Sequence, residues 1–211
     1  MQADSLDKRR AIFLDRDGTL NRDIEYLGKF EEFEVLPGVL PALRILQELG
    51  YRLFVVSNQS GVARKYFSYE DVEVFHRRMD AYFRSEGIQF DDIVFCPHHT
   101  QGTDPRYILD CDCRKPKPGM ILSLADKYGI DLATSYMIGD KLIDAQAGVN
   151  AGATGVWLRI PGGRYSEPGR VDKAGNIKEF LSLLDFSEDL REFDGRYGKR
   201  SPVARDPKDP A

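Results

Sequence analysis

The chain has 211 residues, a formal net charge of −4, and 42% apolar and 30% charged residues. That balance suits one globular domain with a real core and argues against a wholly disordered chain. The acidic balance argues against a bulk basic surface for nucleic acid, and no apolar run approaches the roughly 20 residues that span a bilayer. Met1–Arg10 holds no apolar stretch that would direct secretion, so the expected compartment is the cytoplasm, with no membrane and no nucleic acid as partner. In chain order, Ala11–Asp15 reads as a buried strand. Pro37–Leu49 reads as a helix with Val39, Leu40, Leu43, Leu46 and Leu49 on one stripe and Gly50 as its stop. Tyr51–Ser57 is a second strand, and Ser68 caps a helix that runs to about Gly87. Asp92–Cys96 is a third strand, and residues 97–117 are loop-like. Pro118–Tyr128 is a helix, Ser135–Gly139 a strand, Lys141–Ala151 a helix and Thr154–Leu158 the fifth strand. Residues 159–175 read as a Pro/Gly-rich loop and Asn176–Leu184 as a last helix.

Strands alternating with helices predict an α/β fold: a Rossmann-like open parallel sheet flanked by helices, in a single domain. Residues 1–10 are expected to be a lead, 11–186 the folded domain, and 187–211 a flexible tail, because the last stretch is charged and offers little apolar surface to bury. Ligands of such folds bind at the carboxyl ends of the strands, and the chemistry-bearing residues fall there. The first strand ends in Asp15-Arg16-Asp17-Gly18-Thr19-Leu20-Asn21. Two carboxylates two residues apart can converge on one metal ion or one phosphoryl group, with Gly18 permitting the turn. Alone, the string also describes an Asp/Gly surface turn. An EF-hand is excluded, because Gly comes fourth and no third carboxylate follows in step. Ser57-Asn58-Gln59-Ser60-Gly61 offers hydroxyl, amide and backbone donors to phosphate oxygens, although such a composition marks ordinary turns as well. Asp140 can complete a magnesium site with Asp15 or serve as a helix cap. Asp144 reads as a solvated helix residue or a supporting partner. Arg114 and Lys115 can neutralise a dianion or be ordinary surface charge.

The three cysteines are Cys96, Cys111 and Cys113. An odd, clustered set fits a disulfide framework poorly and metal ligation well. Cys96-x-His98 and Cys111-x-Cys113, separated by a 12-residue loop, supply three thiolates and one imidazole. That set suits closed, structural tetrahedral Zn²⁺. His99 is the competing histidine, otherwise a substrate-side or surface residue. Zinc would order residues 97–113, which have little apolar content, and would place Arg114 and Lys115 beside it.

An Asp pair, then a Ser, a Lys and an Asp at successive strand ends is the motif order of the haloacid dehalogenase-like phosphohydrolases, which this chain closely resembles from about Ala11 to Leu158. The resemblance implies that Asp15 is the nucleophile and forms an aspartyl-phosphate. It implies Mg²⁺ on the Asp15 side chain, the Asp17 backbone carbonyl and Asp140, with Asp17 as general acid and base. Ser57 and Lys115 are then expected to stabilise the transferring phosphoryl group. The gaps between Asp17, Ser57 and Lys115 leave no room for a cap domain, so an open site is expected. Zinc-loop, capless members fall into two groups that this chain is similar to, the histidinol-phosphate phosphatases and the D-glycero-D-manno-heptose 1,7-bisphosphate 7-phosphatases. The Asn21–Tyr26 loop, the long zinc loop and the lack of a second domain favour the heptose group, which acts in nucleotide-activated heptose and lipopolysaccharide core precursor synthesis. Histidinol phosphate stays open as the substrate. Carried over, Asp23 and Tyr26 hold the sugar, Asn58, Gln59 and Ser60 line the phosphate pocket with Ser57, Arg114 recognises the distal phosphate or sugar, and Lys141 reaches the transferring phosphate. Arg64 and Lys65 are either extra cations for a second phosphate or exposed loop charge. A monomer acting on a small phosphorylated sugar is expected. Two readings from other classes are a phospho-acceptor domain that stores phosphate and a zinc-stabilised binding module without activity.

Overall fold

The computed structural model describes residues 9–162 and 176–197. Its elements in order are β1 (Ala11–Leu14), α1 (Val39–Glu48), β2 (Arg52–Asn58), α2 (Tyr69–Ser85), β3 (Asp92–Cys96), α3 (Gly119–Tyr128), β4 (Tyr136–Gly139), α4 (Leu142–Ala151), β5 (Thr154–Leu158), β6 (Ile177–Phe180) and α5 (Leu183–Tyr197). The strands form one sheet in the order β3-β2-β1-β4-β5-β6, and every pairing is parallel. β1 is central and all four of its residues are buried, which is why it reads as an unbroken apolar run rather than an alternating one.

The pleat divides the core. Ile12, Leu14, Leu53, Val55 and Ile138 face α1, α2 and α5, where Leu43, Leu46, Phe75, Met79, Phe83, Phe186 and Leu190 meet them. Ala11, Phe13, Phe54, Val56 and Met137 face α3 and α4 through Met120, Ile121, Leu124 and Ala147. Helices therefore cover both faces, and the chain changes sides between β3 and β4. The strand order reverses at β1, so β1 and β4 open a crevice at their carboxyl ends. α2 starts with a capping box: Ser68 Oγ accepts from the Asp71 amide at 3.0 Å, and Asp71 Oδ2 accepts from the Ser68 amide at 2.8 Å.

The last part of the chain departs from the sequence reading. Ile177–Phe180, expected as helix, is the edge strand β6, in register with Gly155–Leu158 of β5. Two charged residues in four hide a strand whose identity comes from pairing with a distant partner. The expected flexible tail from residue 187 is also corrected as far as Tyr197, since α5 continues through it. Leu183, Phe186 and Leu190 lie on one helical stripe, all buried. Phe186 packs edge-on to Tyr136 and Phe180 at 5.2 and 5.3 Å between ring centroids, and Asp194 accepts from Arg10 Nη1 at 3.0 Å. The charges that suggested a tail are the outer face of this helix. Arg9 is likewise no free lead, its carbonyl accepting from the Asp131 amide at 3.0 Å. The expected tail from 198 onward, the lead before Arg9 and most of the 159–175 loop lie outside the described residues. No helix among the described residues is long and apolar enough to cross a membrane.

Candidate active site

The β1 chain end turns sharply. The Arg16 carbonyl accepts from the amides of Thr19, Leu20 and Asn21, and the Gly18 amide donates to the Asn21 carbonyl. Gly18 sits at φ +83°, and a Cβ there would run into the Asp140 carboxylate. Glycine thus lets the ends of β1 and β4 close on each other. Asp15 is held by its amide to the Ile138 carbonyl at 2.8 Å, and Asp140 by its amide to Thr19 Oγ1 at 3.1 Å and its carbonyl to Trp157 Nε1 at 3.0 Å. Gly139 makes the same kind of allowance on the other side, where a Cβ would meet Asp144.

Three carboxylates, Asp15, Asp140 and Asp144, are buried and offer oxygens within 4.8 Å of one another. Lys115 is the counter-charge. Its ammonium donates to Asp15 Oδ1 at 2.6 Å, to the Val56 carbonyl at 2.7 Å, and pairs with Asp144 Oδ1 at 2.7 Å. Burial opposes its charge, yet Asp144 and Asp15 hold its pKa above the usual lysine value. Burial pushes Asp15 up to about 6; Lys115 opposes that rise and Asp144 adds to it. Asp140 is pushed up to about 8 by burial, with Asp15, Asp144 and Asp23 adding to it and Lys141 opposing. Its Oδ1 is buried and has no hydrogen-bond partner among the described residues. Asp15, Asp140 and Asp144, joined by Asp23, outnumber the cations Lys115 and Lys141 that face them, and with one buried carboxylate oxygen unmatched the set fits a divalent, oxygen-seeking cation. Asp144, read from the sequence as a solvated helix residue or a supporting partner, is buried in this cluster; its Oδ2 accepts from the Lys141 amide at 3.1 Å.

Asp17 stands apart electrostatically. Burial works against its charge, but the Arg16 guanidinium and hydrogen bonds from Arg16, Asn21 and Gln59 outweigh it and hold the carboxyl below the usual range. Gln59 Nε2 donates to Asp17 Oδ2 at 2.9 Å and to Ser57 Oγ at 2.8 Å. Asn58 does not point at the acids. Its side-chain amide forms a paired bond with the Lys115 backbone, at 3.2 and 3.1 Å, and so ties the end of β2 to the loop that delivers Lys115.

These acids, apart from Asp140, line a cleft of about 230 Å³. Of the residues singled out in the sequence, Asp15, Asp17, Asp23, Tyr26, Ser57, Asn58, Gln59, Ser60, Arg114, Lys115 and Lys141 line it. Lys141 Nζ reaches Asp23 Oδ2 at 3.3 Å across its mouth. Arg64 and Lys65 are not brought into the cleft. Arg64 turns to His99, with Nη2 3.5 Å from Nε2, and Lys65 lines a separate depression with Ser68, Asp104 and Arg106. Glu25 and Ile143 line the cleft without any motif signal; Glu25, like Tyr26, has a positive φ in the loop after the first acid pair.

The second cluster is Cys96, His98, Cys111 and Cys113. Cys113 Sγ lies 3.0 Å from Cys96 Sγ, 3.1 Å from Cys111 Sγ and 3.3 Å from His98 Nδ1. His99 is outside this set: its Nδ1 accepts from the Gln101 amide at 3.0 Å. The four ligand atoms from two loop arms suit tetrahedral coordination with no open position. Arg114 follows directly and donates to the His98 carbonyl at 3.1 Å, so the cluster and the cleft share one support.

A family model described as haloacid dehalogenase-like hydrolase matches residues 13–152, which span the acid pair, the β2 end, Lys115 and Asp140. The chain belongs to the haloacid dehalogenase-like hydrolases. Within that family it is 48% identical over 184 residues to the D-glycero-beta-D-manno-heptose-1,7-bisphosphate 7-phosphatase of Escherichia coli K12, covering 86% of this chain and 94% of that one. The enzyme of the same name from Rhodopseudomonas palustris is 44% identical over 161 residues, 76% of this chain and 86% of the relative. Among solved structures, the D,D-heptose 1,7-bisphosphate phosphatase of B. bronchiseptica, complexed with magnesium and phosphate, aligns with a TM-score of 0.75 and 31% identity, covering 87% of this chain and 99% of that one.

Proposed function

We propose that this hydrolase removes the 7-phosphate of D-glycero-D-manno-heptose 1,7-bisphosphate through an aspartyl-phosphate on Asp15, in the synthesis of nucleotide-activated heptose for lipopolysaccharide core precursors. The observation that carries the chemistry is the buried Lys115 ammonium shared between Asp15 and Asp144 at the floor of an open cleft. The relatives named above support the substrate. Asp15 attacks phosphorus in line; Asp17, ionised in the free site, takes up a proton as the anionic phosphate enters beside it, and the phosphorus–oxygen bond to the sugar breaks as Asp17 gives that proton to the departing oxygen. Asp17 then takes a proton from water, whose oxygen attacks phosphorus and frees the Asp15 carboxylate with inorganic phosphate. Ser57 and Lys115 bind the phosphoryl oxygens as charge shifts among them. Asp23 and Tyr26 hold the sugar, Asn58, Gln59 and Ser60 shape the phosphate pocket, Arg114 recognises the distal phosphate or the sugar, and Lys141 reaches the transferring phosphate. The Asp15 and Asp140 carboxylates and the Asp17 backbone carbonyl would hold Mg²⁺, which screens the anionic nucleophile from the anionic substrate when bound. The enzyme is read as a cytoplasmic monomer whose partner is the small phosphorylated sugar. Side-by-side kinetics with magnesium test the substrate: kcat/KM for the heptose bisphosphate exceeds that for histidinol phosphate, and the reverse order would assign the other group.

We further read Cys96, His98, Cys111 and Cys113 as a structural zinc site that orders the loop carrying Arg114 and Lys115. Metal analysis of purified protein is expected to find about one zinc per chain, lost together with thermal stability in Cys113→Ser. Purified protein with full activity and no zinc would contradict this assignment.

A further inference from the structure

Arg16 sits between the two acids of the strand-end motif, and its side chain is fully buried. A buried guanidinium is costly unless its donors are matched, so their destinations are informative. Nε donates to Asp17 Oδ1 at 3.0 Å and Nη2 to Asp17 Oδ2 at 2.8 Å, a fork on both carboxylate oxygens. Nη2 also donates to the Leu27 carbonyl at 3.3 Å, and the guanidinium lies over the Phe75 ring, 4.6 Å from its centroid. The remaining arm, Nη1, meets Nε2 of His76 at 3.2 Å. A guanidinium has nothing to accept with, so Nε2 is the acceptor and His76 is the neutral tautomer with its proton on Nδ1. The electrostatics agree: burial, then Arg16, push the imidazole down to about 3. His76 lies on α2, buried edge-on against Phe75 and Phe95, and is not among the residues lining the cleft.

Asp17 is thus held by three side chains, with Asn21 Nδ2 donating to its Oδ1 at 3.0 Å beside Arg16 and Gln59. Gln59 reaches it while lining the cleft. Arg16 grips it from the buried side, anchored in turn by His76. The last torsion of an aspartate is soft, and a proton-transferring carboxyl must keep one oxygen aimed at the leaving group. We propose that His76, acting through Arg16, is a positioning residue that fixes the Asp17 carboxyl for proton transfer to the leaving oxygen. The inference rests on Asp17 being the general acid.

The test compares leaving groups. kcat/KM ends at the first irreversible step, departure of the leaving group. A sugar alkoxide needs a proton to depart; the leaving groups of p-nitrophenyl phosphate and acetyl phosphate do not. His76→Leu is expected to lower kcat/KM on the heptose bisphosphate by roughly 10- to 100-fold, a part of the usual general-acid contribution, and to change it by less than about threefold on the aryl ester and the acyl phosphate. His76→Gln, whose side-chain oxygen can still accept from Arg16, is expected to recover most of the loss. All substrates are turned over by the same folded molecules, so the ratio is independent of the folded fraction. Should His76→Leu fail to fold, Arg16→Lys, which keeps the charge but loses the fork, makes the same comparison. Equal losses on all substrates, no loss on any, or no recovery in His76→Gln would overturn the proposal. Asp17→Asn is the control. If it shows no dependence on leaving group, the acid role of Asp17 fails; if it does and His76→Leu does not, the positioning inference alone fails.

Discussion

Asp15→Asn is expected to give a folded protein whose turnover is lower by roughly 10⁴- to 10⁶-fold. Asparagine has nearly the same shape, and its amide oxygen can still accept from Lys115, which keeps Asp144 as its second anionic partner. What is lost is the anionic oxygen that attacks phosphorus. Stability should move the other way. Burial raises the folded pKa of Asp15 from 3.8 to about 6. A carboxyl with a raised folded pKa binds protons more readily in the native state, so its ionised form weakens the fold above that pKa. Neutral asparagine removes that penalty, and metal-free Asp15→Asn should melt at or above the wild-type temperature at neutral pH. Activity within tenfold of wild type would remove Asp15 from the nucleophile's role.

Lys115→Met is expected to damage both fold and catalysis. The ammonium is the direct counter-charge to two buried carboxylates and also satisfies the Val56 carbonyl. Methionine fills most of the space but leaves both acids unpaired, at a cost of about 3–5 kcal/mol, read as a lower denaturation midpoint. Turnover should fall by about 10²-fold or more, as for loss of one donor to a developing charge. The two causes separate in a double-mutant cycle. Adding Asp144→Asn to Lys115→Met should recover part of the stability, because one of the repelling charges is gone, while leaving turnover low. Additive stability losses would mean that Lys115 and Asp144 are not energetically coupled.

Much of the site could be read from the sequence because it lies where local rules apply. Asp15 and Asp17 follow a four-residue buried strand whose apolar run is unmistakable, Ser57 to Ser60 follow the next such run, and a parallel sheet brings strand ends together. The meeting of Cys96, His98, Cys111 and Cys113 was legible from residue type and spacing alone. Four features were not. β6 is a four-residue edge strand with two charged side chains, made a strand by β5 rather than by its own pattern. α5 presents a charged face to solvent, and its apolar stripe at Leu183, Phe186 and Leu190 is thin enough to be lost among the charges. Asp144 looks like a surface helix residue until Gly139 lets the helix start sit against β4 and the Lys115 ammonium arrives from the loop after Cys113. The Arg16–His76 contact joins residues far apart in sequence, which no periodicity or motif spacing reports.

The proposed hydrolysis depends on Asp15 being the group that accepts the phosphoryl unit. The most direct measurement is a crystal structure grown with magnesium and beryllofluoride, a stable mimic of an acyl phosphate. Beryllium should be bonded to a carboxylate oxygen of Asp15, with Lys115 Nζ and Ser57 Oγ within hydrogen-bond distance of its fluorides. Beryllium bonded to another side chain, or held in the cleft with no bond to Asp15, would contradict it.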